Sequence, residues 1–152
     1  MLRISRLTDY GTVLLARLAQ APAQQFTCGQ LSALTHLPPT TVSKLLKQLH
    51  RHGLVDSTRG LRGGYRLSRA PETITAVQVL DALEGPVALT ECATHPNHCG
   101  IESSCGVNRA WQKVNVAIRR TLGDITLLEL AGLAAEPIRF AALDRHTHMA
   151  KR

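Results

Sequence analysis

The sequence predicts a mainly α fold with a small β-hairpin wing, in which a winged helix-turn-helix head precedes a long dimerisation helix. Three observations predict it: a helical apolar stripe within 39–53, a glycine-rich hairpin pattern directly after it, and a second apolar stripe within 107–122. We divide the 152-residue chain into a head (1–70), a cysteine-loop and dimerisation region (71–136) and a flexible tail (137–152).

The first two helices are predicted from their end signals. Thr8 can cap the first helix, with Asp9 in its first turn, where a carboxylate interacts favourably with the helix dipole. Pro22 should end that helix. Thr27 and Gln30 have the spacing of a capping box, which predicts the start of a second helix.

The third helix has the clearest pattern and the best candidates for reading DNA. Pro39 suits a first helical position, apolar residues recur at i, i+3, i+4 and i+7 from Val42, and Gly53 can close the helix. The opposite face carries hydroxyl, amide and cationic groups, which can reach base edges and phosphates from the major groove. The predicted DNA-contacting residues of this helix are Thr40, Thr41, Ser43, Lys44, Lys47, Gln48 and Arg51.

The next segment predicts a wing. Two short strand-like stretches, 54–58 and 65–67, flank a glycine-rich basic turn, which is a hairpin signal. Arg59 and Arg62 lie at its tip, where guanidinium groups can enter a minor groove. We therefore add both arginines to the predicted DNA-contacting set.

The distribution of charge favours double-stranded DNA as the partner. Residues 1–69 carry ten Lys and Arg against two acids, a net charge of +8, whereas the remainder is at −1. A solvated surface does not explain why one half holds the whole excess, but a polyanionic partner does. The low aromatic content, 3%, argues against stacking on single strands.

Cys92, Cys99 and Cys105 predict a metal or cluster site. Their C-x6-C-x5-C spacing lies in a loop rich in small residues and lacks the close C-x2-C pairs of most zinc sites. Three such thiolates fit an iron–sulfur cluster better, either [2Fe-2S] or [4Fe-4S], with a fourth ligand to be supplied. His95 and His98 are local candidates for that ligand, and a Cys3His zinc site stays open.

The stripe within 107–122 predicts a homodimer. Its apolar residues have heptad-like spacing, and the small head offers little surface to bury them. Two heads in a dimer could read two half-sites of a pseudo-palindrome. The apolar residues are Val107, Ala110, Trp111, Val114, Ala117, Ile118 and Leu122.

Other classes of protein fit poorly. The sequence has no phosphate-binding loop, no Ser/His/Asp pattern and no cysteine in the setting of a nucleophile, so we do not expect an enzyme. It shows no membrane-spanning run and no signal peptide at its start, so we expect a cytoplasmic protein without a membrane partner. Cys28, alone at a helix start, is expected to be a small packed residue.

Taken together, these segments resemble the Rrf family of winged-helix regulators over about residues 1–133. The resemblance rests on LTDYG (7–11), SKLLKQLHRHGLV (43–55), RGLRGGYRL (59–67), TAVQVLDALEG (75–85), TLLEL (126–130) and the three cysteines. It implies a homodimeric transcription factor, repressor or activator, whose cluster controls its affinity for DNA. The LTDYG opening most resembles regulators of the SUF cluster-assembly genes.

The resemblance also implies a choice for the fourth ligand. The IscR-like branch has a histidine three residues after the last cysteine, where this chain has Asn108, a poor iron ligand. In the NsrR-like branch, an aspartate near the start of the first helix completes the cluster from the other subunit, and Asp9 matches that position. We therefore favour Asp9 in trans over His95 or His98. A structural zinc, a thiol redox switch and an NsrR-like nitric oxide sensor are the alternatives.

Overall fold

The computed structural model describes residues 3–60, 63–90 and 105–134. Within them the elements are α1 (Arg6–Ala19), α2 (Cys28–Thr35), α3 (Pro39–Arg51), β1 (Val55–Thr58), β2 (Gly64–Leu67), a 3-10 turn (Pro71–Thr73), α4 (Ala76–Glu84), α5 (Asn108–Asp124) and α6 (Leu127–Leu130). The predicted tail, 137–152, lies outside the described residues, as does the wing tip at 61–62.

Helix α1 begins three residues earlier than Thr8 would place it. Ser5 is the N-cap, and its side chain accepts a hydrogen bond from the backbone N–H of Thr8 at 3.2 Å. The prediction that Thr8 caps this helix is therefore wrong. Thr8 is instead fully buried inside α1, and its hydroxyl donates to Glu84 at the end of α4. A partner 76 residues away leaves no local trace in the sequence.

The predicted helix-turn-helix is confirmed. Thr27 and Gln30 form the expected capping box at the start of α2, and the turn after α2 has His36 in the left-handed conformation, at φ 56°. Helix α3 begins at Pro39 and is followed by Gly53 at φ +70°. Its apolar stripe is fully buried and forms the centre of the head, at Val42, Leu45, Leu46 and Leu49.

The predicted wing is also confirmed. β1 and β2 pair antiparallel, in a register that sets Val55 opposite Leu67. Phe26 forms an isolated antiparallel bridge with Tyr65 of β2, through two backbone hydrogen bonds of 2.9 and 2.8 Å. A Cβ atom at Gly64 would lie 2.8 Å from the backbone oxygen of Phe26, so glycine permits this close approach.

Helix α1 crosses the centre of the structure and contacts α2, α3, α4, α6 and β2, whereas α5 packs mainly on α4. The buried apolar cluster draws on the head, on Ile74, Val79 and Ala82, and on Leu127 from α6. Of the described part of α5, only Asn115 is buried. No helix among the described residues is long and apolar enough to cross a membrane.

Candidate nucleic-acid interface and metal-ligand residues

The polar face of α3 lies opposite its buried stripe. Thr40, Lys44, Lys47 and Arg51 are exposed, and Thr41 and Ser43 are half-buried. Helix α3 therefore presents three cations and several hydroxyl groups on one side of the head, and acidic residues are absent throughout Pro39–Arg51. This face can bind phosphates and base edges.

The wing stands beside this face. One groove runs between α3 and the hairpin, and it is lined by Lys47, His50, Thr58 and Arg59 among others. A second groove shares Lys47 and Cys28 with the first and is also lined by Pro39, Thr40, Ser43 and Lys44. The structure thus brings α3 and the turn end of the wing together around Lys47. Arg62 lies outside the described residues.

Gln48 lies apart from the other predicted DNA contacts. Its side-chain amide donates to the backbone oxygens of Ala82 and Leu83 at 3.0 and 3.2 Å, and the residue is half-buried. The amide therefore joins α3 to α4 and is not free to read a base. We therefore leave Gln48 out of the proposed DNA-contacting set. Its position on the helical wheel placed it on the polar face but could not reveal its partner on α4.

Cys28 is partly buried against the core, and its Sγ lies 3.5 Å from the backbone oxygen of Pro39. Those contacts agree with the expectation of a small packed residue. Its place on both grooves beside α3 was not foreseen, since it depends on how α2 packs against α3 and on where the wing folds back.

Helix α5 exposes the apolar face that the sequence predicted. Val107 is 59% exposed, Trp111 44% and Val114 41%, while Ala110 and Ala117 are also exposed. Ile118 and Leu122 are half-buried. Such a continuous apolar strip on a helix is typical of a surface that packs against another helix.

Asp9 lies on the first turn of α1, exposed and without an ion pair to any described residue. It lines a cavity of about 700 Å³ together with Arg3, Ser5 and Arg6, and with apolar residues of α4, α5 and α6. Leu122, the last member of the apolar strip of α5, lines the same cavity. The carboxylate therefore shares this cavity with the end of that strip.

Glu84, at the end of α4, is held differently. Glu84 accepts hydrogen bonds from the Thr8 hydroxyl at 2.5 Å and from the backbone N–H of Ser5 at 2.9 Å. These bonds lower the pKa of Glu84, because they favour the charged carboxylate. Glu84 thus remains an anion fixed to the start of α1, one turn from Asp9.

Of the predicted cysteine ligands, the structure describes Cys105 alone. It is half-buried just before α5, and its carbonyl oxygen accepts a hydrogen bond from Asn108 N–H at 3.4 Å. The side-chain oxygen of Asn108 is buried and has no hydrogen-bond partner among the described residues. Such an oxygen beside Cys105 fits a site completed by a further polar or ionic group. Cys92, Cys99, His95 and His98 lie outside the described residues, and no three potential metal ligands converge within the described ranges.

The helix-turn-helix, the wing and the basic face define a winged-helix DNA-binding protein of the bacterial regulator type. CymR (YrzC), the global cysteine regulator of B. subtilis, superposes with a TM-score of 0.65 at 27% identity, covering 88% of this chain and 99% of that one. IscR of T. potens gives 0.61 at 26% identity, covering 86% and 87%. The oxidized form of Staphylococcus aureus CymR gives 0.62 at 27%, covering 89% and 100%.

Sequence comparison identifies the family. The model of the Rrf2 family, described as an iron-dependent transcriptional regulator, matches residues 4–132, so the chain belongs to the Rrf2 family. The HTH-type transcriptional regulator NsrR of Halalkalibacterium halodurans is 28% identical over 131 residues, which cover 85% of this chain and 90% of that protein. The resemblance to this family seen in the sequence is confirmed, and the chain is a transcriptional regulator rather than an enzyme.

Proposed function

We propose that the chain forms a homodimer whose affinity for operator DNA is controlled by an iron–sulfur cluster on Cys92, Cys99 and Cys105. Asp9 of the partner subunit would supply the fourth ligand. The observation that carries the proposal is the exposed carboxylate of Asp9, which forms no ion pair with any described residue and shares a cavity with the end of the apolar strip. A second copy covering that strip would approach Asp9 as well.

The chemistry of the donors supports a sensing role. Thiolates bind iron strongly, whereas a carboxylate is a harder and weaker donor to a cluster. A bound cluster would supply a centre that responds to iron, oxidants or nitric oxide at its weakest ligand. Asp9 lies on α1, which packs on α3, so ligation across the dimer would tie the spacing of the two heads to the state of the loop.

Operator binding would use the basic face of the head. We assign Thr40, Thr41, Ser43 and Lys44 to the major groove and its phosphates, together with Lys47 and Arg51. Arg59 and Arg62 would contact the minor groove from the wing. As the finer proposal, the target is the SUF cluster-assembly genes, on the strength of the LTDYG opening.

The first test is anaerobic purification followed by iron, acid-labile sulfide and zinc analysis with a visible absorption spectrum. Iron and sulfide in comparable amounts are expected, and Cys105→Ser should remove most of both. Zinc alone in a colourless protein would refute the cluster.

Asp9→Ala tests the fourth ligand. It should shift the cluster spectrum and alter DNA binding while the protein remains dimeric. The matched control is Glu72→Ala, which removes an exposed carboxylate from the 3-10 turn. A spectrum of Asp9→Ala identical to that of the control would exclude Asp9 and leave His95 or His98.

A second candidate function is a thiol redox switch without iron. The superposition on CymR, one structure of which is an oxidized form, favours it. The same metal analysis separates the two, because a thiol switch would contain neither iron nor sulfide and would change its DNA affinity on mild oxidation.

A further inference from the structure

We propose that the last turn of α4, residues 81–84, couples the segment that enters the cysteine loop to the recognition helix α3 and to the Asp9-bearing helix α1. Four consecutive residues of this turn bind four other parts of the chain. The inference rests on the proposed function, since it concerns how the state of the cysteine loop reaches the DNA-contacting face.

The loop end of this connection is an ion pair between α4 and α5. Arg119 binds both carboxylate oxygens of Asp81, at 2.9 and 2.8 Å, and also donates to the backbone oxygen of Val87 at 3.3 Å. Asp81 in turn accepts from the N–H of Val87 at 2.9 Å. The buried Asn115 holds the same segment by accepting from Leu89 N–H at 3.3 Å. The chain that leads towards Cys92 is therefore fixed to α4 and α5 together.

The DNA end of the connection is Gln48. Its two hydrogen bonds reach the carbonyl oxygens of Ala82 and Leu83, in the last turn of α4. Carbonyl groups in a last helical turn lack partners within the helix, so an amide from another helix satisfies them directionally. Gln48 lies one residue after Lys47 on α3 and is thus a positioning residue for the DNA-contacting face.

The third connection runs to α1. Glu84 binds the N-cap Ser5 and the buried Thr8. The side chain of Leu83 packs so closely on Gly11 that a Cβ atom there would lie 2.5 Å from Leu83 Cδ1. α1 and α4 therefore pack at a glycine contact. A displacement of this turn would move both the start of α1 and the middle of α3.

Gln48→Met tests the proposal in the dimer of the 152-residue chain, because methionine keeps the length of the side chain and removes both hydrogen bonds. The affinity for a selected DNA duplex is measured twice: after anaerobic reconstitution with ferrous iron and sulfide, and after stripping with a chelator. In Gln48→Met the ratio of the loaded to the stripped affinity should approach one. It should differ from the wild-type ratio by at least about fivefold. Iron content and thermal unfolding are followed in parallel.

The matched control is Gln78→Met, at the opposite end of the same helix, which removes the two hydrogen bonds that Gln78 Oε1 accepts from Thr75 N–H and Arg69. It should keep the wild-type ratio. A purely structural role for Gln48 would weaken binding equally in both states and leave the ratio unchanged, which would overturn the proposal.

Arg119→Met breaks the connection at its other end and should reduce the ratio in the same way. The double variant should lose no more than either single one, because the two contacts act in series. Additive effects would overturn the connection through α4 and leave the proposed function intact. If the wild-type protein bound DNA equally well with and without iron and sulfide, both the connection through α4 and the proposed function would be overturned.

Discussion

The head buries the apolar stripe of its central helix, whereas α5 leaves a comparable stripe exposed. In the head, the stripe of α3 is enclosed by α1, α2, α4 and β1, and its four apolar residues are at most 1% exposed. The equally regular stripe that begins at Val107, just before α5, and continues to Val114 faces outward, while one face of α5 packs on α4. The head therefore buries its own stripe, whereas the described residues leave the outward face of α5 exposed.

The largest effect is expected from a charge placed in the exposed strip of α5. Val114→Asp should raise the dimer dissociation constant by at least about 100-fold, because the carboxylate would be buried without a partner. Analytical ultracentrifugation measures this directly. Val116→Asp is the control: Val116 is 64% exposed on the other side of the same helix, so this variant should remain dimeric. Equal dissociation constants for the two variants would refute the strip as the interface.

The basic face of the head is tested by Lys47→Ala. Loss of one phosphate contact should weaken binding by about tenfold and lower the slope of log affinity against log salt by about 1. Lys113→Ala, which removes an exposed cation from α5, should change neither. An unchanged salt slope for Lys47→Ala would remove this residue from the interface.

The close contact between the wing and Phe26 is tested by Gly64→Ala. The new methyl group would meet the backbone of Phe26, which cannot move aside, so the protein should lose about 2 kcal/mol of unfolding free energy. Gly29→Ala is the control, since nothing lies within 4 Å of its Cβ position in α2 and alanine suits a helix. Chemical denaturation of both variants checks the difference, and equal stabilities would contradict the close contact.

The smallest effect concerns pH. Burial by itself raises the pKa of Asp81, but hydrogen bonds from Arg119 and Val87, together with the charge of Arg119, bring it below its usual value. A lowered pKa stabilises the fold above the pKa of the unfolded chain, and this contribution is lost as pH falls below about 4. Asp81→Asn should therefore lose less stability than wild type on acidification, as followed by urea unfolding. Identical losses would contradict this account of the ion pair.

Local patterns determined what the sequence could predict. The stripe of α3, the Thr27–Gln30 capping box and the wing hairpin depend on residues a few positions apart, and all were confirmed. The exposed strip of α5 was also foreseen, because a small head leaves little surface to cover it.

Contacts between distant residues could not be predicted. Ser5, rather than Thr8, caps α1, and the Thr8 hydroxyl binds Glu84. The amide of Gln48 binds two carbonyl groups of α4. The partners are separated by 76 residues in one case and by 34 and 35 in the other. Side chains of the same polarity would suit either role, so only the packing of the helices distinguishes them.

The central claim is tested most directly by measuring DNA affinity in two states of one anaerobic preparation. Duplexes are selected from a random library in separate rounds with the iron- and sulfide-loaded protein and with the chelator-stripped protein. Their affinities for both forms are then compared at fixed salt. We expect the two forms to differ by at least about tenfold on the selected duplexes, with iron and sulfide present in the loaded form alone. Equal affinities of a fully loaded and a fully stripped protein would contradict control of DNA binding by the cluster.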